Sequence, residues 1–187
     1  MMIEMGSELN VDANLLAAVI LVELSGSGFV DEKLKIRFEN HIFVSNAGYS
    51  DLFSYDTSKR WKGHKWRTNN SSEWQTVHTG SQTTEYAAFN FASTLDEDSA
   101  YNSISMGMGQ IMGFNYAAAS YNSAKEMYDD FSKGHEAQIS GMSTFISNYN
   151  SGKTLKALQD GNIKSFVTQY NGSGQVDTYT KLIQQAL

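Results

Sequence analysis

The sequence predicts one mainly α-helical α+β domain over residues 1–187, with an aromatic-rich loop and strand region at about 35–80. Three patterns predict it. Apolar residues recur at helical spacing near 12–25 and again through most of 123–186, a period-two alternation runs over 35–43, and the segment 47–80 is poor in helical periodicity and reads as loops and short strands. With 41% hydrophobic, 12% aromatic and only 18% charged residues, there is enough apolar side chain for one continuous core and too little charge for a disordered chain.

The same counts exclude several classes of function. Without cysteine there is no disulfide framework, no thiol nucleophile and no thiolate metal site. The four histidines, at 41, 64, 78 and 135, have no paired ligand spacing, so neither a metal site nor a cofactor is expected. A net charge of −6 and a pI near 5.1 argue against general nucleic-acid binding. Residues 1–8 carry acid where a secretory signal carries base, and the apolar run that follows is too short to span a bilayer, so synthesis as a soluble cytosolic protein is expected. Proline is absent, leaving glycine, asparagine and serine to mark the turns.

In chain order, Asn10 or Asp12 can cap a first helix over about 12–25, ended by Gly26. Leu16, Ile20 and Glu23 fall at i, i+4 and i+7, so the helix sets a carboxylate on its core-facing stripe beside an open Ser-Gly-Ser-Gly rim. A poorly solvated carboxyl has a raised pKa, as a general acid near neutral pH requires. The plainer alternative is an ion-paired glutamate in a last turn. Over 35–43 the alternation predicts a strand with Ile36, Phe38 and Ile42 on one face and Arg37, Glu39 and His41 on the other, which can bring a second carboxylate opposite the first. A solvated Arg37 and Glu39 pair explains the same pattern.

Residues 59–67, with Trp74 and His78, form the one basic and aromatic patch, suited either to sugar or base stacking or to packing a small lobe. Thr83 or Thr84 is expected to cap a helix to about Leu95, and Asp96 and Asp98 to cap the turn after it. The glycines of 107–113 precede no Lys-Ser/Thr and so make no phosphate loop, but they suggest close backbone approach. Ser123 and Glu126 form a capping box before a helix to about Lys133, and Ile139, Met142, Ile146 and Tyr149 mark a long amphipathic helix. Shorter helices are expected at about 153–160, 162–170 and 175–186.

Three separated pieces, Glu23 with its glycine rim, Gly107-Met108-Gly109-Gln110-Ile111-Met112-Gly113-Phe114-Asn115, and Tyr170-Asn171-Gly172, occur in an order that resembles the lysozyme superfamily, especially goose-type lysozymes and lytic transglycosylases. Together with residues 35–43, they are similar to the N-acetylmuramidase endolysins of bacteriophages over about 12–185. The resemblance implies a lysozyme-like fold with a small β-hairpin lobe and a helix at Gly-x-x-Gln-Ile. By position, Glu23 matches the family's catalytic acid and Glu39 its second carboxylate, with a linker one residue shorter. Gln110, Tyr170 and Asn171 match cleft positions, and Thr79 or Thr83 corresponds to a water-holding hydroxyl of chitinase-like relatives.

The activity so implied is that of a peptidoglycan hydrolase cutting the N-acetylmuramic acid to N-acetylglucosamine β-1,4 bond, with no cofactor and no metal. A carboxyl separation of about 6.5–9.5 Å would imply inversion, and about 5–5.5 Å retention. The partner implied is bacterial peptidoglycan, met by a monomer without nucleic acid and without stable membrane insertion. Such a protein is made in the host cytoplasm and reaches the wall through a pore, or is carried on a virion. The acidic pI departs from the basic habit of many lysozymes, a difference the 59–67 patch can offset. A lytic transglycosylase, a chitinase-like glycosidase and a non-catalytic glycan-binding or wall-puncturing module are the alternatives, since fold alone does not imply turnover.

Overall fold

A computed structural model describes the chain except for Met1 and residues 24–26, and the side chains of Met2, Arg60 and Trp61. The expected helix stop at Gly26 lies outside the described residues. A short helix absent from the sequence reading, α1 (Met2–Leu9), precedes α2 (Ala13–Glu23), bent from it by 108°. Asp12 Oδ1 accepts the N–H groups of Asn14 and Leu15, so Asp12 is the cap. Among the described residues no single helix is long and apolar enough to cross a membrane.

The strands are short and antiparallel. β1 (Phe29–Val30) pairs with β2 (Lys33–Leu34); β3 (Ile36–Phe38) pairs with β7 (Ile104–Met106), which pairs with β8 (Ile111–Met112); and β4 (Phe53–Ser54), β5 (Lys65–Trp66) and β6 (Gln75–Thr76) form a meander. The strand expected over 35–43 stops at Phe38. From Asn40 the chain turns into α3 (Asn40–Ala47), where Asn40 and Phe43 are fully buried at helical spacing. The helix wins because it places Asn40 Nδ2 on the carbonyls of Ser54 and Lys65, tying α3 to the meander, and stacks Phe43 against Phe38 and Phe53.

The outer edge of β3 is closed by a helix. From α4 (Gln82–Leu95), Gln82 accepts the Ile36 N–H and donates to the Ile36 carbonyl, while Glu85 Oε2 accepts the Phe38 N–H at 2.9 Å. Two side chains thus complete the hydrogen bonding a neighbouring strand would supply. The cap of α4 is Ser81 rather than Thr83 or Thr84, its hydroxyl accepting the Thr83 N–H. Asp96 caps α5 (Glu97–Asn102) as expected.

The C-terminal half is helical: α6 (Ala124–Phe131), α7 (His135–Asn148), α8 (Lys153–Gln159), α9 (Ile163–Tyr170) and α10 (Val176–Ala186). At α6 the Ser123 hydroxyl accepts the Glu126 N–H, and Glu126 in turn accepts the N–H of Asn122, one residue earlier than a capping box prescribes. α10 packs on α2 and α9. One apolar core links the two halves, from Leu16, Val19 and Ile20 through Phe38, Phe89 and Met127 to Ile146, Phe166 and Ile183.

Candidate active site

Glu23 ends α2 over an open cleft of about 460 Å³. The cleft walls are Met108 to Met112 with Phe114 and Asn115 on one side, and Phe145, Tyr149, Tyr170, Asn171 and Tyr179 on the other. Glu23 Oε2 accepts the Asn171 amide at 3.1 Å, whereas Glu23 Oε1 and Asn171 Oδ1 are buried and have no partner among the described residues. Burial pushes the Glu23 carboxyl up to about 7, against the opposing pull of the Asn171 hydrogen bond. Burial, and next to it the charge of Glu23, raise the Tyr170 hydroxyl above its ordinary value. Orphaned buried oxygens facing a cleft are acceptors that a ligand or water can satisfy. A larger hollow of about 540 Å³ between α1 and α7 has only exposed acids, Glu8 and Glu136, so no such group is built there.

The wall carrying Gln110 is not the helix that the family resemblance implies. Residues 107–110 form a turn into β8, because Gly107 (φ 73°) and Gln110 (φ 46°) both lie in the left-handed region and cannot continue a helix. Gln110 braces this turn, its Oε1 accepting the Ser105 hydroxyl and its Nε2 donating to the Gly107 carbonyl at 2.8 Å. Beneath it, buried Gln138 of α7 accepts the Met108 N–H and donates to the Phe131 carbonyl. A Cβ on Gly28 would lie 2.2 Å from Gln138 Oε1, which explains the close approach required there.

The cleft thus gathers Glu23, Gln110, Tyr170 and Asn171, while Glu39 and Thr83 stand elsewhere. Exposed Thr83 borders a separate hollow with Asp31, Lys33 and Tyr86. Thr79 bonds Thr84 at 2.8 Å. Glu39 precedes α3 and does not line the cleft around Glu23. Its Oε1 accepts Arg37 Nε at 2.8 Å, and its Oε2 faces His41 Nδ1 at 3.6 Å and His64 Nε2 at 3.8 Å. Arg37 is the β3 partner of Ser105, itself the partner of cleft residue Met112, so one row across the sheet runs from the cleft to the Glu39 cluster.

Behind Glu39 sits a histidine pair that sequence spacing did not reveal. His64 and His78 flank β5 and β6, and the pairing of those strands brings their rings to 4.5 Å. The signal was available as two histidines at the open ends of one hairpin. His78 Nδ1 lies 2.8 Å from Glu85 Oε1, and His78 Nε2 is buried with no partner among the described residues. Burial first, then His78, lowers His64 to about 4. In the basic patch, Lys59 pairs with Asp56, and Arg67 bonds Asp51 and Asn70 while lying 4.5 Å over Trp74, so both serve the small lobe.

A half-buried glutamate with a raised pKa, at the end of a helix and under a cleft between helices and a small β region, defines a lysozyme-like domain. The N-acetylmuramidase family model matches residues 12–187, and the chain belongs to that family. Among solved structures it is similar to the crystal structure of the Burkholderia AP3 phage endolysin, with a TM-score of 0.74 and 24% identity over 99% of this chain and 68% of that one. No curated protein matches the sequence.

Proposed function

We propose that this chain is a peptidoglycan hydrolase that cuts the N-acetylmuramic acid to N-acetylglucosamine β-1,4 bond, with Glu23 as general acid. The observation that carries the reading is the Glu23 carboxyl, raised to about 7 beneath an open cleft, which holds its proton near neutral pH and has an oxygen free of partners. Glu23 gives that proton to the glycosidic oxygen as the bond to the anomeric carbon breaks, leaving an oxocarbenium-like sugar. Asn171 holds the other Glu23 oxygen and offers Oδ1 to a sugar or acetamido N–H; Gln110 and Tyr170 shape the cleft beside it. Glu39, held by Arg37 one sheet row from the cleft, is the second carboxylate of this reading, activating water or stabilising the sugar cation.

Family membership and the fold match with a phage endolysin support a wall-directed role. The partner is bacterial peptidoglycan, met by a monomer that is made in the host cytoplasm and released through a pore, or borne on a virion. One observation favours a second reading: Glu39 stands outside the cavity of Glu23. Without a base opposite the acid, the sugar's own hydroxyl closes an anhydro ring, as in a lytic transglycosylase. Mass spectrometry of fragments from purified peptidoglycan separates the two, reducing muramic ends supporting hydrolysis and anhydro ends the alternative. In a turbidity assay, Glu23→Gln should lose about 10²–10⁴-fold in rate; undiminished clearing by that variant would remove Glu23 from the mechanism.

A further inference from the structure

We propose that Glu39, His64 and His78 form a binding site for a divalent transition cation of zinc type. One donor atom from each of the three lies within 4.8 Å of the others, and all three are at least partly buried. The second, independent observation is His78 Nε2, a nitrogen without a partner among the described residues, on a residue only 3% exposed. A buried ring nitrogen without a partner loses its solvation uncompensated unless something occupies the space before it.

The surroundings suit a metal ligand. Glu85 Oε1, 2.8 Å from His78 Nδ1, fixes the tautomer that leaves Nε2 with its lone pair, the carboxylate support that ligating histidines commonly have. Glu85 is itself held by the Phe38 N–H, so the support is rigid. Glu39 gives Oε1 to Arg37, while its Oε2 faces His64 Nε2 and His41 Nδ1 and is the oxygen that would bind the cation, in place of the water-activating role the muramidase reading gives it. Two imidazoles and one carboxylate with an open fourth position for water match the donor set zinc takes. Tetrahedral zinc with bonds of about 2.0–2.1 Å holds its ligands roughly 3.3 Å apart, so the three groups close by about an ångström on binding.

Binding has one local cost. His64 Nδ1 accepts the Asn40 N–H at 3.3 Å, and ligation through Nε2 requires the proton on Nδ1 instead. The Asn40 amide must therefore be released, which gives the cation a signature at a backbone group that is not itself a ligand.

The test uses the full chain stripped with EDTA, titrated with Zn²⁺ by calorimetry and with Co²⁺ by visible absorption. Expected are one saturable equivalent, tetrahedral Co²⁺ bands, a zinc-dependent rise in Tm and a shifted Asn40 amide resonance. His78→Ala should abolish binding, and Glu85→Gln should weaken it about 10–100-fold. His135→Ala should leave it intact. If either buried-site variant fails to fold, the Co²⁺ spectrum and the Asn40 resonance of the wild-type chain decide. Absence of a saturable equivalent, an unmoved Asn40 amide, or wild-type binding by folded His78→Ala overturns the proposal and leaves a water before Nε2. None of these readouts depends on turnover, so they stand or fall apart from the muramidase reading.

Discussion

A carboxyl that titrates near 7 makes testable demands at the scale of the single residue. If protonated Glu23 is the working form, kcat/KM should fall as pH rises through about 7. The Asn171 hydrogen bond pulls the carboxyl down, so Asn171→Leu should move that alkaline limb to higher pH, measurable on a soluble glycan substrate. The same shift is a statement about stability. The folded chain holds the Glu23 proton more tightly than the unfolded one, so the stabilisation is complete below the ordinary value of 4.5 and is lost as pH rises through about 7, a swing on the order of 3 kcal/mol. Glu23→Gln should accordingly be more stable than wild type at pH 8 and little different at pH 4, as read by urea midpoints.

Glu23 was legible from the sequence because its i, i+4, i+7 relation to Leu16 and Ile20 is local. The Asn171 bond that tunes it is not, and only the family resemblance pointed there. His64 and His78 escaped because their contact depends on strand pairing, which short-range ligand spacing does not encode.

Elements show why some boundaries were readable and others were not. α6 and α5 carry their start signals in their own side chains, Ser123 and Asp96, and begin where those residues predict. The 35–43 segment carries a strand pattern that tertiary contacts overrule, since Asn40 is worth more bonded to the Ser54 and Lys65 carbonyls than extended. The turn at 107–110 likewise owes its form to a partner on another element. Gln138→Ala would leave the Met108 N–H and the Phe131 carbonyl unpaired and should cost about 2–4 kcal/mol of unfolding free energy, with a loss of activity beyond the stability loss as the Gln110 wall loosens.

For the whole molecule, the net charge of −6 has a consequence for any anionic polymer it meets. Two cations of the 59–67 patch, Lys59 and Arg67, are tied to the lobe itself and do little to offset repulsion. Moderate salt should therefore raise activity on intact wall by screening, where a basic enzyme would lose it; a rate that falls steadily from low ionic strength would contradict this.

The residue that adjusts the acid comes 148 positions after it, just ahead of the helix that lies along α2. During translation the ribosome has released Glu23 long before it supplies Tyr170, Asn171 and Tyr179. A shorter nascent chain lacks the Asn171 amide and that wall of the cleft, so the surroundings that set the Glu23 carboxyl are complete only after those residues have been made.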